Sequence, residues 1–242
     1  MNATMKRFVD MEREHGSLIA AVNARASSSD ANASGARYNL FRTPKQGFSS
    51  LVDRLVEQLR ELEGVEIVTN AKVDSLGQSP AGKWTVKLEQ GEIFASDAVI
   101  VGVPAQQAAS FLADYDALSH ELASIESTSC AVVAMGIDRS QLPEDFAGFG
   151  IIYPHIDGGS TIAISFASNK FPGRAQDGKL LLRFFIGGAL QESLVDRDDQ
   201  TLVQLALDQF EVSMGCRPVP EFEKVFRWKN AMPQYHLSLI HI

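Results

Sequence analysis

Between Ser129 and Ile186 the chain carries four apolar segments of strand length: Cys130 to Ile137, Phe149 to Tyr153, Thr161 to Phe166 and Leu180 to Ile186. Strands of this kind bury nothing singly, so they are expected to pair into one sheet and to be covered on at least one face. A helix is predicted from about Asp198 to Met214, with Leu202, Leu205, Ala206, Phe210 and Met214 on its inner side. Val225-Phe226-Arg227-Trp228 then reads as a returning strand or crossover.

The first half has a different texture. From Met5 to Asn23, Phe8, Met11, His15, Leu18, Ile19 and Val22 recur at spacings of three and four, the pattern of one amphipathic helix. Ser27 to Gly35 is rich in Ser, Ala, Asn and Gly and reads as a surface loop. After Gly47 a second helix places Phe48, Leu51, Val52, Leu55, Val56, Leu59 and Leu62 on one side, with Gly64 as its stop signal. Val65 to Val68 is expected to form a strand, and Ala71 to Leu76, Lys83 to Leu88 and Ile93-Phe94 a β-meander. The unbroken run Ala98 to Val103 predicts a strand covered on both faces, and Pro104 is placed to open the next helix. Together these readings predict a mixed α/β chain in which one sheet region is interrupted by a larger insertion.

Several functions are disfavoured by the residues themselves. The net charge is −8 with the basic residues scattered, so no basic stripe exists to meet phosphates and nucleic acid is not an expected partner. Cys130 and Cys216 belong to no Cys/His cluster, which argues against a metal site or disulfide scaffold and fits a reducing cytoplasm. No apolar run approaches the ~20 residues that span a bilayer, so membrane contact would be peripheral. Gly77-x4-Gly82-Lys83 imitates a phosphate loop, but Trp84 replaces the hydroxyl residue and a strand pattern follows, so a hairpin turn is expected. Gly148-Phe149-Gly150 likewise runs into a strand, not a helix. No nucleophile or metal signature is present, and side-chain chemistry alone is poorly supported.

Four stretches, in order, resemble the protoporphyrinogen/coproporphyrinogen oxidase family of FAD-dependent enzymes, within the flavin amine oxidase-like superfamily. Met11-Glu12-Arg13-Glu14-His15-Gly16-Ser17-Leu18 is similar to the family's ME-x-x-HGSL helix. Phe41 through Leu55 resembles the segment in which a Gly-Gly pair opens a helix, with Gln46 in place of the first glycine. Ser168 to Arg174, followed by Phe184-Phe185-Ile186-Gly187-Gly188, resembles the S-x-x-FPGRAP … F-x-GG block, with Gln176 where proline is usual. Trp228 to Tyr235 is similar to the W-x-x-AMPQY signature.

The resemblance implies an α/β fold with an α+β insertion: a partial FAD-binding domain of the flavin amine oxidase type, interrupted by a mixed-sheet substrate domain. Residues 1–45 would be the helical part of the substrate domain, 46–111 the partial FAD-binding domain, 112–226 the substrate-binding domain, and 227–237 the return to the FAD-binding domain. Residues 238–242 read as a non-native tail, and the chain as an internal fragment without the glycine-rich loop that grips the FAD pyrophosphate. By the same resemblance Val73 would touch the adenine through its backbone and Trp228 would lie on the segment returning to the flavin. Ile152, Ser165 and Phe185 would line the substrate cavity, Ser165 being more polar than is usual there. Arg174 is a candidate for pairing with a substrate carboxylate. The implied partners are a porphyrinogen and dioxygen, with peripheral membrane contact and a homodimer left open. No catalytic side chain is assigned.

Overall fold

The computed structural model describes residues 6–27, 43–142 and 148–234. The loop expected beyond Ser27 and the tail at 238–242 lie outside the described residues. The chain divides into two units, residues 1–55 and 56–242.

In the first unit the predicted single helix is two, α1 (Lys6–His15) and α2 (Leu18–Ser27), which pack on one another. The break is local chemistry. Gly16 adopts φ +70, a conformation costly for any residue with a Cβ, and its N–H donates to the Glu12 carbonyl at 2.7 Å to close α1. The Ser17 hydroxyl then accepts from the Ile19 N–H at 3.2 Å, opening α2 as a side-chain cap. Apolar spacing alone missed this, because the periodic residues continue across the break. The next helix, α3 (Ser49–Arg60), begins in this unit and ends in the second; Leu51, Val52, Leu55 and Leu59 are exposed on it.

The second unit holds two sheets. The expected meander forms as β1 (Val73–Gln78), β2 (Trp84–Leu88) and β3 (Ile93–Ser96), paired antiparallel in that order. Leu76 packs with Phe111 and Leu112, at the end of α4 (Ala105–Phe111), and with Tyr115 and Leu122, which flank and lie within α5 (Asp116–Ala123). Trp84 and Tyr115 extend this core, with ring centroids 5.7 Å apart. The expected boundary at 111/112 therefore falls inside one core.

Two predicted strands are absent. Val65 to Val68 and Ala98 to Val103 carry no strand pairing, and Ile100 is 97% exposed. An apolar run becomes a strand only when a neighbour takes its N–H and C=O groups, and no described strand does so for these two.

The larger sheet contains β4 (Ser127–Asp138), β5 (Gly150–Ile152), β6 (Thr161–Phe166), β7 (Lys179–Gly187) and β8 (Phe222–Pro233) in the order β5-β6-β7-β4-β8, all antiparallel. A short helix, α6 (Ala167–Lys170), follows β6. β8 runs beside β4 as far as Pro233, with one register shift between the Cys130–Trp228 and Thr128–Met232 pairs, so the expected return to another domain at residue 227 lies within a strand of this sheet. The reason is that β4 presents a long row of backbone groups that β8 can satisfy on both sides of that shift.

One face of this sheet is sealed by α7 (Asp199–Met214), close to the predicted bounds. The Asp198 side chain accepts from the Thr201 N–H at 2.9 Å to start the helix, and Gly215 at φ +70 ends it. Leu202, Val203, Ala206, Leu207 and Phe210 pack against Val133, Met135 and Ile137 of β4, Leu182 and Phe184 of β7, and Ile164 of β6. Phe184 and Phe210 meet edge to face, centroids 6.0 Å apart at 65°.

Candidate functional site

Successive residues of a strand point to opposite faces, and directly opposed residues of an antiparallel pair point to the same one. With Val133, Met135 and Ile137 of β4 and Leu182 and Phe184 of β7 packed on the α7 side, the other face is defined by register. One row across all five strands reads Ile152, Ala163, Phe185, Val132, Phe226. On one side of it lies the row Gly150, Ser165, Arg183, Ala134, Lys224. On the other side lie Gly187, Cys130 and Trp228. This face is open at its edge strands, where Ile152 is 82% exposed, Trp228 56% and Phe226 42%, while Val132 and Cys130 on central β4 are buried.

The structure thus brings four of the six predicted site residues together. Ile152 and Phe185 share a row, Ser165 is in the adjacent row, and Trp228 sits beyond the Phe226 position on the same strand and the same face. Trp228 is expected with the other domain but pairs with Cys130 in the large sheet instead. Arg174 lies off these rows, at the end of the sheet, in a cleft of about 530 Å³ lined also by Gly136, Leu181, Lys179, Glu221 and Phe222. The Phe222 ring covers Gly136 so closely that a Cβ there would come within 2.2 Å of it. Val73 is in the other sheet, on its edge strand, partly buried against Leu76 and its neighbours.

Sequence reasoning missed Phe226, Lys224 and Arg183. The signal was present: Phe222, Lys224, Phe226 and Trp228 alternate with Glu223, Val225 and Arg227, the period of a strand with two distinct faces.

The cations of this sheet differ by face. Toward α7, Arg227 meets Asp199 at 2.5 Å and donates to the Val195 carbonyl at 3.0 Å, while Lys229 meets Asp196 at 2.7 Å. At the sheet's end Lys179 bridges Asp138, at 3.0 Å, and Glu221. The Ser140 hydroxyl and N–H, with Lys179, hold the Asp138 carboxyl down at about 2. On the open face, Arg183 lies over the Phe185 ring with its guanidinium 5.3 Å from the centroid, and Lys224 over the Phe226 ring at 5.2 Å. Burial raises the Cys130 thiol pKa, so this cysteine is suited to packing and not to nucleophilic work. Among the described residues no cluster of His, Cys, Asp or Glu could hold a metal ion. No described helix is long and apolar enough to cross a membrane.

For a bound dinucleotide the residues fit in part. Val73 has a strand neighbour on one side only among the described residues, which leaves backbone at that edge for an adenine to meet. The two glycine pairs do not form a phosphate cradle. Gly77 and Gly82 belong to the β1–β2 hairpin, closed by the Ser79 N–H on the Lys83 carbonyl at 2.8 Å, and Gly150 enters β5.

Known proteins place this geometry. The coproporphyrinogen III oxidase of Bacillus subtilis (strain 168) is 30% identical over 237 residues, which are 98% of this chain and 49% of that protein. The coproporphyrinogen III oxidase of Propionibacterium freudenreichii subsp. freudenreichii is 31% identical over 198 residues, 81% of this chain and 36% of the relative. The chain spans about half, or less, of the length of these relatives. A solved structure from Exiguobacterium sp. 255-15, provisionally assigned as a protoporphyrinogen oxidase, superposes with a TM-score of 0.72 at 24% identity, over 97% of this chain and 48% of that one, and supports the fold. The family model for flavin-containing amine oxidoreductases matches residues 1–242, and the chain belongs to that family.

Proposed function

We propose that this chain supplies the substrate-binding face of a flavin-dependent oxidase that dehydrogenates protoporphyrinogen IX or coproporphyrinogen III to the porphyrin, in heme biosynthesis. The observation that carries the reading is the row Ile152, Ala163, Phe185, Val132, Phe226, which forms an apolar, partly aromatic strip across five strands. A large flat macrocycle is best held by such a surface, because stacking and apolar burial supply affinity without demanding a particular reacting group.

The role of the protein is to bind and orient. A bound FAD would supply the two-electron acceptor, with Val73 offering backbone to the adenine and Trp228 facing the flavin side of the site. Each hydride and proton pair leaving the porphyrinogen would end on dioxygen as hydrogen peroxide. Among the described residues the open face carries no acid/base pair, which agrees with a reaction whose hard step belongs to the cofactor.

The test is titration of the chain with coproporphyrin III and protoporphyrin IX, followed by quenching of tryptophan emission and by porphyrin fluorescence. Saturable binding is expected, weakened about tenfold or more by Phe185→Ala, as for other central aromatic anchors. If neither porphyrin binds the unmodified chain, the reading fails.

A further inference from the structure

The covered face and the sheet's end neutralise their cations; the open face does not. Arg227, Lys229 and Lys179 each meet a carboxylate, whereas Arg183 and Lys224 form no ion pair among the described residues. Four successive rows of the open face, from the Trp228 position to the Phe222 position, contain no acidic residue at all. In a chain of net charge −8, two bare cations on an otherwise apolar surface call for an anionic partner.

Their placement defines that partner. Arg183 and Lys224 both oppose Ala134, so they flank β4 in one row. Two interstrand spacings of about 4.8 Å separate their backbones by roughly 9.6 Å. Their row adjoins the Phe185–Phe226 row, about 7 Å away along the strands. Each head group rests on an aromatic ring of that neighbouring row, which holds it over the apolar strip and partly fixes its position. A ligand that lays a flat apolar body on the strip and carries two carboxylates along one edge would meet both cations at once. Porphyrins with propionates on neighbouring pyrrole rings have this form.

We propose that Arg183 and Lys224 are the carboxylate-recognition pair of this site, fixing the edge of the macrocycle that bears neighbouring propionates. Arg174, in the cleft at the end of the sheet, is not part of this pair. The inference rests on the porphyrin-binding reading and names the residues that orient the ligand within it.

The experiment compares protoporphyrin IX, a diacid, with its dimethyl ester, which keeps the macrocycle and removes the charge. The full chain and the variants Arg183→Gln, Lys224→Gln, the double variant and Arg174→Gln are titrated by tryptophan quenching. Both target positions are solvent-exposed, so folded variants are expected, and circular dichroism checks this. The diacid should lose about tenfold or more in affinity in the double variant while the ester is unchanged, and Arg183→Lys should recover part of the loss. Diacid binding should weaken with salt in the unmodified chain and much less in the double variant. Unchanged diacid affinity in the double variant, or a loss confined to Arg174→Gln, would overturn the assignment and leave porphyrin binding standing. Failure of the unmodified chain to bind either compound would remove the porphyrin reading and this assignment together.

Discussion

The two faces of the five-stranded sheet share every strand yet differ in nearly every property. Facing α7, Met135, Leu182 and Phe184 are fully buried, as is Phe210 of α7 itself, and the cations nearby are paired. On the other side Ile152 and Trp228 are largely exposed, and Arg183 and Lys224 rest on aromatic rings. The difference teaches that packing is concentrated on one face, which leaves the other for the recognition role proposed above. The covered face holds the sheet together, and the open face is free to be shaped by a ligand because little of the fold depends on it.

The strongest test of that division is a pair of truncations. Phe210→Ala removes a fully buried ring from α7 and should cost about 3–5 kcal/mol, measured by chemical denaturation. Ile152→Ala, on the open face, should change stability by no more than about 0.5 kcal/mol. Comparable losses at the two positions would break the comparison.

A smaller effect is expected at the rim where the faces meet. Gly187 has φ +109, and a Cβ there would come within 2.5 Å of Val195 Cγ2 and 3.0 Å of the Ser129 carbonyl oxygen. Gly187→Ala combines backbone strain with a clash against the covered side and should cost roughly 1–3 kcal/mol. A neutral outcome would mean that the turn after β7 can relax independently of the sheet.

The smallest effect concerns charge at the end of the sheet. Asp138 has its folded pKa depressed to about 2, so its stabilising contacts with Ser140 and Lys179 are fully present above the ordinary carboxylate range and disappear as pH falls through about 2. The side-chain carboxyl carbon, followed by NMR, should show a midpoint near 2. A midpoint at the usual value would mean that the Ser140 and Lys179 contacts of Asp138 are open in solution, leaving Lys179 paired with Glu221 alone.

Much of the fold was legible in the sequence. Period-two strands, the helix over Asp198 to Met214 and the β-meander depend on local spacing and turn residues, which each segment carries by itself. Ile152, Ser165 and Phe185 were proposed through resemblance, and their shared face follows from the register of β5, β6 and β7. The sequence by itself also determined the break at Gly16-Ser17, since both the glycine and the capping serine are present, although apolar spacing concealed it. It could not determine whether Val65–Val68 and Ala98–Val103 become strands, because that depends on a neighbour's hydrogen bonds. Nor could it assign Trp228 to a sheet. The partner of an edge strand is chosen by which row of backbone groups lies beside it, and only the tertiary structure set β8 against β4. That pairing carried Phe226, Lys224 and Trp228 onto the face already holding Phe185.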